Sequence, residues 1–74
     1  MTHELPPDPE GMNERRATLA ENALTALWQK TGDKEAALGD LLADLMHWCD
    51  RNNHDFGAAL DHARGYYEDE TNGE

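Results

Sequence analysis

Asp40, Asp44, His47 and Arg51 fall at i, i+4, i+7 and i+11, a spacing that lines one side of a helix. Two carboxylates and an imidazole one turn apart are donor types that hold a divalent metal, since carboxylate oxygen and imidazole nitrogen are both good ligands. The same residues equally make a solvated face whose acids pair locally with His47 and Arg51. The second reading is the expectation here: no catalytic residue, no metal and no cofactor. Cys49 with a histidine would be a nucleophile and its base. His47, however, lies two residues away on a helix and points elsewhere, while His54 and His62 could approach only through the fold. Cys49 also sits on a leucine stripe, where a free thiol acts as a small buried hydrophobe.

Tyr66, Tyr67 and Trp48 are aromatic platforms of the kind that stack on bases. That mode also needs a basic groove, and six scattered Lys and Arg do not make one. An exposed Tyr66 instead suits a protein–protein contact. The strongest signal is charge. Sixteen Asp and Glu face six Lys and Arg, a formal charge of −10. Direct binding to nucleic acid or to an anionic membrane is therefore not expected, because both are polyanions. A basic protein surface is the complementary partner. Carboxylates at i and i+4 advance about 6 Å along a helix, close to two phosphate steps on one DNA strand. Rigid acidic helices can thus occupy a Lys/Arg-lined groove that normally holds nucleic acid. Asp40 and Asp44 on one helix, Asp61 and Glu68 on another, and Tyr66 as an aromatic anchor are the candidate partner-binding residues.

The elements that position them read as helices throughout. There is no Val or Ile, and no segment alternates with period two, so strands lack material. A Pro- and acid-rich flexible arm over 1–12 precedes a three-helix domain over 13–68, with an acidic tail over 69–74; both termini are expected to be disordered. The helices are expected at about 13–31, 33–51 and 55–68, capped by Asn13, Asp33 and Asp55. Gly32 and Asn52-Asn53 should end the first two, since Gly and Asn tolerate the left-handed conformation. The fold class is all-α, a small three-helix bundle. Linkers this short place consecutive helices antiparallel or nearly so. Ala17, Ala20, Leu24, Leu27 and Trp28 form the first apolar stripe, and Phe56, Leu60, Ala63 and Tyr67 the third. The second is the widest, running over Leu38, Leu41, Leu42, Leu45 and Cys49 with Met46 and Trp48. Leu42, Leu45 and Trp48 should be core residues or contacts of a homodimer made through this helix. Neither tail offers apolar contacts, so truncation to 12–69 should leave stability nearly unchanged. One cysteine excludes an internal disulfide, no apolar run spans a bilayer, and the N-terminus lacks the basic and apolar regions of a signal peptide. A cytoplasmic protein is expected.

Ala37-Leu38-Gly39-Asp40-Leu41-Leu42 resembles part of the E-E-L-G-D-L-L helix of the MazG-like nucleotide pyrophosphohydrolases, an all-helical, magnesium-dependent family. Only Asp40 matches that family's E-x-x-D pair, because position 37 is Ala. Glu14 and Glu21 stand without its E-E-x-x-E. From Leu41 the chain reads Leu-Leu-Ala-Asp-Leu-Met-His-Trp-Cys-Asp-Arg-Asn, then His-Asp-Phe and Ala-Leu, with Ala63 and Tyr67 beyond. This resembles short helical proteins carried by bacterial phages, plasmids and integrative elements, over about 30 of the 74 residues. The resemblance implies an accessory protein of a mobile element, of the anti-CRISPR type, that binds a host nucleic-acid-handling complex. The function expected is therefore a non-enzymatic acidic interaction protein. The alternatives are a metal-dependent relative of the pyrophosphohydrolases and a small structural adaptor.

Overall fold

The computed structural model describes residues 4–72, which form three helices and no strand. Helix α1 spans Met12–Thr31, α2 Ala37–Arg51 and α3 Phe56–Asn72. The all-α, three-helix reading is borne out. Residues 1–3 of the expected arm and 73–74 of the expected tail lie outside the described residues.

Helix α1 starts where the backbone turns sharply. Asp8-Pro9-Glu10-Gly11 closes a turn with the Gly11 N–H donating to the Asp8 carbonyl at 3.1 Å, and Gly11 is left-handed at φ 72°. The Asp8 carboxylate then accepts the N–H groups of Asn13 at 3.1 Å and Glu14 at 3.0 Å. These are two of the four donors that a helix N-terminus leaves without an internal partner. Asp8, not Asn13, is thus the capping side chain, and the stretch of the arm beside α1 is pinned to the helix. At the other end Gly32, at φ 78°, donates its N–H to the Trp28 carbonyl at 2.7 Å, a left-handed stop as expected.

Asp33 accepts the Ala36 N–H at 3.1 Å, but the turn it caps closes from the Lys34 carbonyl to the Ala37 N–H, three residues on. Regular α-helix therefore begins at Ala37, later than the expected 33. Lys34 lies over the Trp28 ring with Nζ 5.7 Å from its centroid, holding this linker against α1. Helix α2 ends with both the Asn52 and His54 N–H groups on the Cys49 carbonyl, while Asn53 turns left-handed at φ 58°. Asp55 caps α3 through the Ala58 N–H at 3.0 Å.

Helix α3 does not stop at 68. Asp69, Glu70, Thr71 and Asn72 are helical, because α1 supplies what a helix ending in Glu68-Asp69-Glu70 lacks. Asn13 Nδ2 donates to the Glu70 carbonyl at 2.9 Å, satisfying one of the orphan acceptors of the last turn. Arg16 Nε meets Glu70 Oε2 at 3.2 Å and brings positive charge to the negative end of the helix dipole. Arg16 also donates through Nη1 to Asn13 Oδ1 at 2.8 Å, which braces the pair. This latch joins residues 57 apart in sequence.

The latch also fixes the topology. Two successive antiparallel turns would make α3 parallel to α1 and carry its C-terminus roughly 25 Å from Asn13. The ends meet instead, so the helices run as three sides of an open ring. Helix α2 touches both α1 and α3, and the molecule extends 37 × 29 × 22 Å. The core is correspondingly thin. Among the described residues only Ala37 and Cys49 are buried, while Leu24, Leu27, Trp28, Leu41 and Phe56 are half-buried. Leu42 and Leu45, expected as core or dimer contacts, stand 43% and 41% exposed, and Trp48 is 51% exposed. In the single chain they are not core. Deleting residues beyond 12–69 removes Asp8 and Glu70 together with their contacts to α1, so truncation is expected to destabilise rather than leave stability unchanged.

Candidate interaction surface

Helix α2 divides lengthwise into two arcs. Ala37, Leu38, Leu41, Leu42, Leu45, Met46, Trp48 and Cys49 occupy one half of its circumference, with no charge among them. Asp40, Asp44, His47, Asp50 and Arg51 share the other half with Gly39 and Ala43. On that polar half Asp40 is half-buried and Asp44 exposed, one turn apart. Arg51 does not pair with either acid: its Nη1 donates to the His47 carbonyl at 3.2 Å. Among the described residues no three His, Cys, Asp or Glu side chains gather into a group able to hold a metal. Asp40, Asp44 and His47 share a side of the helix without converging. Trp48 packs its ring against His54, centroids 4.9 Å apart, so that imidazole covers the linker side of the tryptophan.

On α3, Asp61 and Glu68 are exposed and lie two turns apart on one side, with Arg64 between them. No ion pair forms there; the one ion pair among the described residues is Arg16–Glu70. Tyr66 is 63% exposed but points away from the Asp61–Glu68 side, since the residue spacing turns it by well over 90° about the axis. Its neighbour is His62, centroids 6.5 Å apart. The five candidate residues thus fall on three separate surfaces: the polar arc of α2, the acidic side of α3, and the tyrosine side of α3. Cys49 is buried, as its place on the stripe suggested.

Charge is distributed unevenly around the ring. Helix α1 carries Arg15, Arg16 and Lys30 against Glu14 and Glu21, while α2 and α3 carry Asp40, Asp44, Asp50, Asp61, Glu68, Asp69 and Glu70 against Arg51 and Arg64. Among the helices the acidic excess belongs to α2 and α3; the arm and linkers add Glu4, Asp8, Glu10, Asp33, Glu35 and Asp55 against Lys34. Sequence reasoning missed a groove of about 810 Å³ between the arm, α1 and α3, whose lining includes Leu5, Pro6, Ala17 and Tyr67 with the Asn13–Arg16–Glu70 latch at its edge. Its walls come from three distant segments, so no local spacing encodes it. Among the described residues no helix is long and apolar enough to cross a membrane. Comparison with protein families, characterised proteins and solved structures returns no match to this chain.

Proposed function

We propose that this is a non-enzymatic interaction protein that sets the acids of α2 and α3 against a basic, nucleic-acid-binding surface of a partner protein, inhibiting or modulating it. The observation that carries the reading is the unpaired acid: Asp40, Asp44, Asp50, Asp61, Glu68 and Asp69 make no ion pair among the described residues, although all stand on ordered helices. A carboxylate array held on a folded frame loses little conformational freedom on binding, so it competes with nucleic acid better than a loose acidic tail does. Tyr66, exposed on a different side of α3, would anchor a separate contact. The likeness of its central segment to small proteins of phages and mobile elements gives the reading a setting, in which an anti-CRISPR-type inhibitor of a host complex is the specific form.

The test is capture from bacterial lysate on immobilised chain, followed by displacement with duplex DNA. Captured proteins should be nucleic-acid binders that DNA releases, and capture should weaken steeply with salt, since screening acts over ~10 Å at 0.1 M. Reversal of Asp40 with Asp44, or of Asp61 with Glu68, to Lys should abolish capture for one pair and spare it for the other. Capture indifferent to salt and to both reversals would sink the proposal.

A further inference from the structure

We infer that the apolar arc of α2 is the interface of a homodimer, in which Leu38, Leu42, Leu45 and Met46 of one copy pack against the same arc of a second copy. The first argument is area. The single chain exposes 6448 Å², whereas a compact monomer of 8.3 kDa exposes about 4,600 Å². The surplus, roughly 1,900 Å², belongs to the whole open chain, arm included; the arc's part in it is Leu38, Leu42, Leu45, Met46 and Trp48, each left 41–62% exposed by its own chain. The radius of gyration agrees: 14.3 Å against about 11 Å for a compact chain of 74 residues.

The second argument is what the arc can accept. Leu38, Leu42 and Leu45 follow one another at spacings of four and three, as along the seam of a two-stranded helical pair, while Cys49, next in the series, is already covered by its own chain. Each chain carries a charge of −10, so two copies repel wherever their acids meet. The arc is the uncharged half of α2, and its acids Asp40, Asp44 and Asp50 lie on the opposite half. An isologous contact about a two-fold axis brings the arc onto itself and leaves both polar faces outward. The occupant that matches an uncharged leucine seam of this length, with acids excluded from it, is the seam itself. Dimerisation on this arc is independent of any basic partner, which would engage the other half of the helix.

Sedimentation of the full chain over about 1–200 µM tests this, because a dimer's mass and melting point depend on concentration. The upper end should give twice the 8.3 kDa of one chain. Leu42→Glu should run as a monomer, whereas Leu19→Glu, placed at a 70% exposed position on α1, should keep the wild-type mass. If Leu42→Glu fails to fold, Leu42→Ala and Leu45→Ala carry the test: each should raise the dimer dissociation constant by roughly tenfold or more, since a two-fold interface counts every substitution twice. Asp40→Lys and Asp44→Lys should not weaken the dimer, so failure of this interface and failure of the basic-partner reading are read apart. A wild-type chain that stays monomeric throughout, or folded Leu42 and Leu45 variants that dimerise as tightly as wild type, overturns the inference.

Discussion

Asp8→Ala removes a side chain that the sequence places in a loose arm but the structure places on the end of α1. Its carboxylate accepts two N–H groups, from Asn13 and Glu14, at 3.1 and 3.0 Å. Loss of a side-chain cap costs about 1 kcal/mol, within a range of about 0.5–2. The negative charge at the positive end of the helix adds about 0.3–1 kcal/mol. The expected destabilisation is therefore about 1–2 kcal/mol, which for a domain of this size lowers Tm by roughly 5–15 °C. Asp8→Asn keeps an acceptor and loses the charge, so it should fall about midway. Truncation to 12–69 removes Asp8 together with Glu70. It thereby also loses the hydrogen bond from Asn13, about 0.5–1.5 kcal/mol, and a largely exposed ion pair, about 0.2–1 kcal/mol. The truncated chain should be the weakest, by about 2–4 kcal/mol, a large share of the ~4–11 kcal/mol available to a chain this long. Urea titration followed by far-UV circular dichroism, at one fixed chain concentration, reads all three. If Asp8→Ala and the truncation both keep the wild-type midpoint, Asp8 does not cap α1 and the ring is not latched.

Two further substitutions test the backbone and the latch. Gly65 is inside α3 with open space where a Cβ would stand, so Gly65→Ala should stabilise by about 0.4–1 kcal/mol in thermal melts, whereas Gly32→Ala, forced to φ 78°, should destabilise by about 1–2 kcal/mol. Asn13→Ala should cost about 1 kcal/mol and, in hydrogen exchange, speed the amides of the last turn of α3 more than those of α2.

Local chemistry was legible and long-range closure was not. Gly32, Asn53 and Asp55 each do what their residue type permits within four positions of themselves, and each does so in the structure. Asp8-Pro9-Glu10-Gly11 carried an equally local signal, with Asp first, Pro second and Gly fourth, the preference of a type I turn. Reading its prolines as mobility hid the cap. Nothing comparable announces the Asn13–Arg16–Glu70 latch, because a polar contact across 57 residues leaves no period in the chain. The tail after Glu68 is acidic and has no apolar residue, which pointed to disorder; nothing within it shows that α1 brings Arg16 to Glu70. The apolar stripe on α2 was visible from its spacing, but periodicity marks only that a face wants cover. It does not say whether the cover comes from the same chain. The candidate residues were found one by one, yet the turn of the helix puts Tyr66 on a different side from Asp61 and Glu68, so they do not form one site.

The two proposed associations should respond to salt in opposite directions, and that follows from where charge sits on α2. Two copies meeting on the apolar arc bring a charge of −10 each into one particle. Their mutual repulsion opposes assembly, while the contact itself is uncharged and gains nothing from low salt. Raising ionic strength shortens the screening length from about 30 Å at 0.01 M to about 10 Å at 0.1 M, removing repulsion across a particle of this size and tightening the dimer. The polar arc works the other way: a basic partner is drawn by the same field, so screening loosens it. A helix with charge on both arcs would blur these effects. Here Asp40, Asp44 and Asp50 lie together on one half and the leucines on the other, which makes the sign of the salt dependence a label for the face in use.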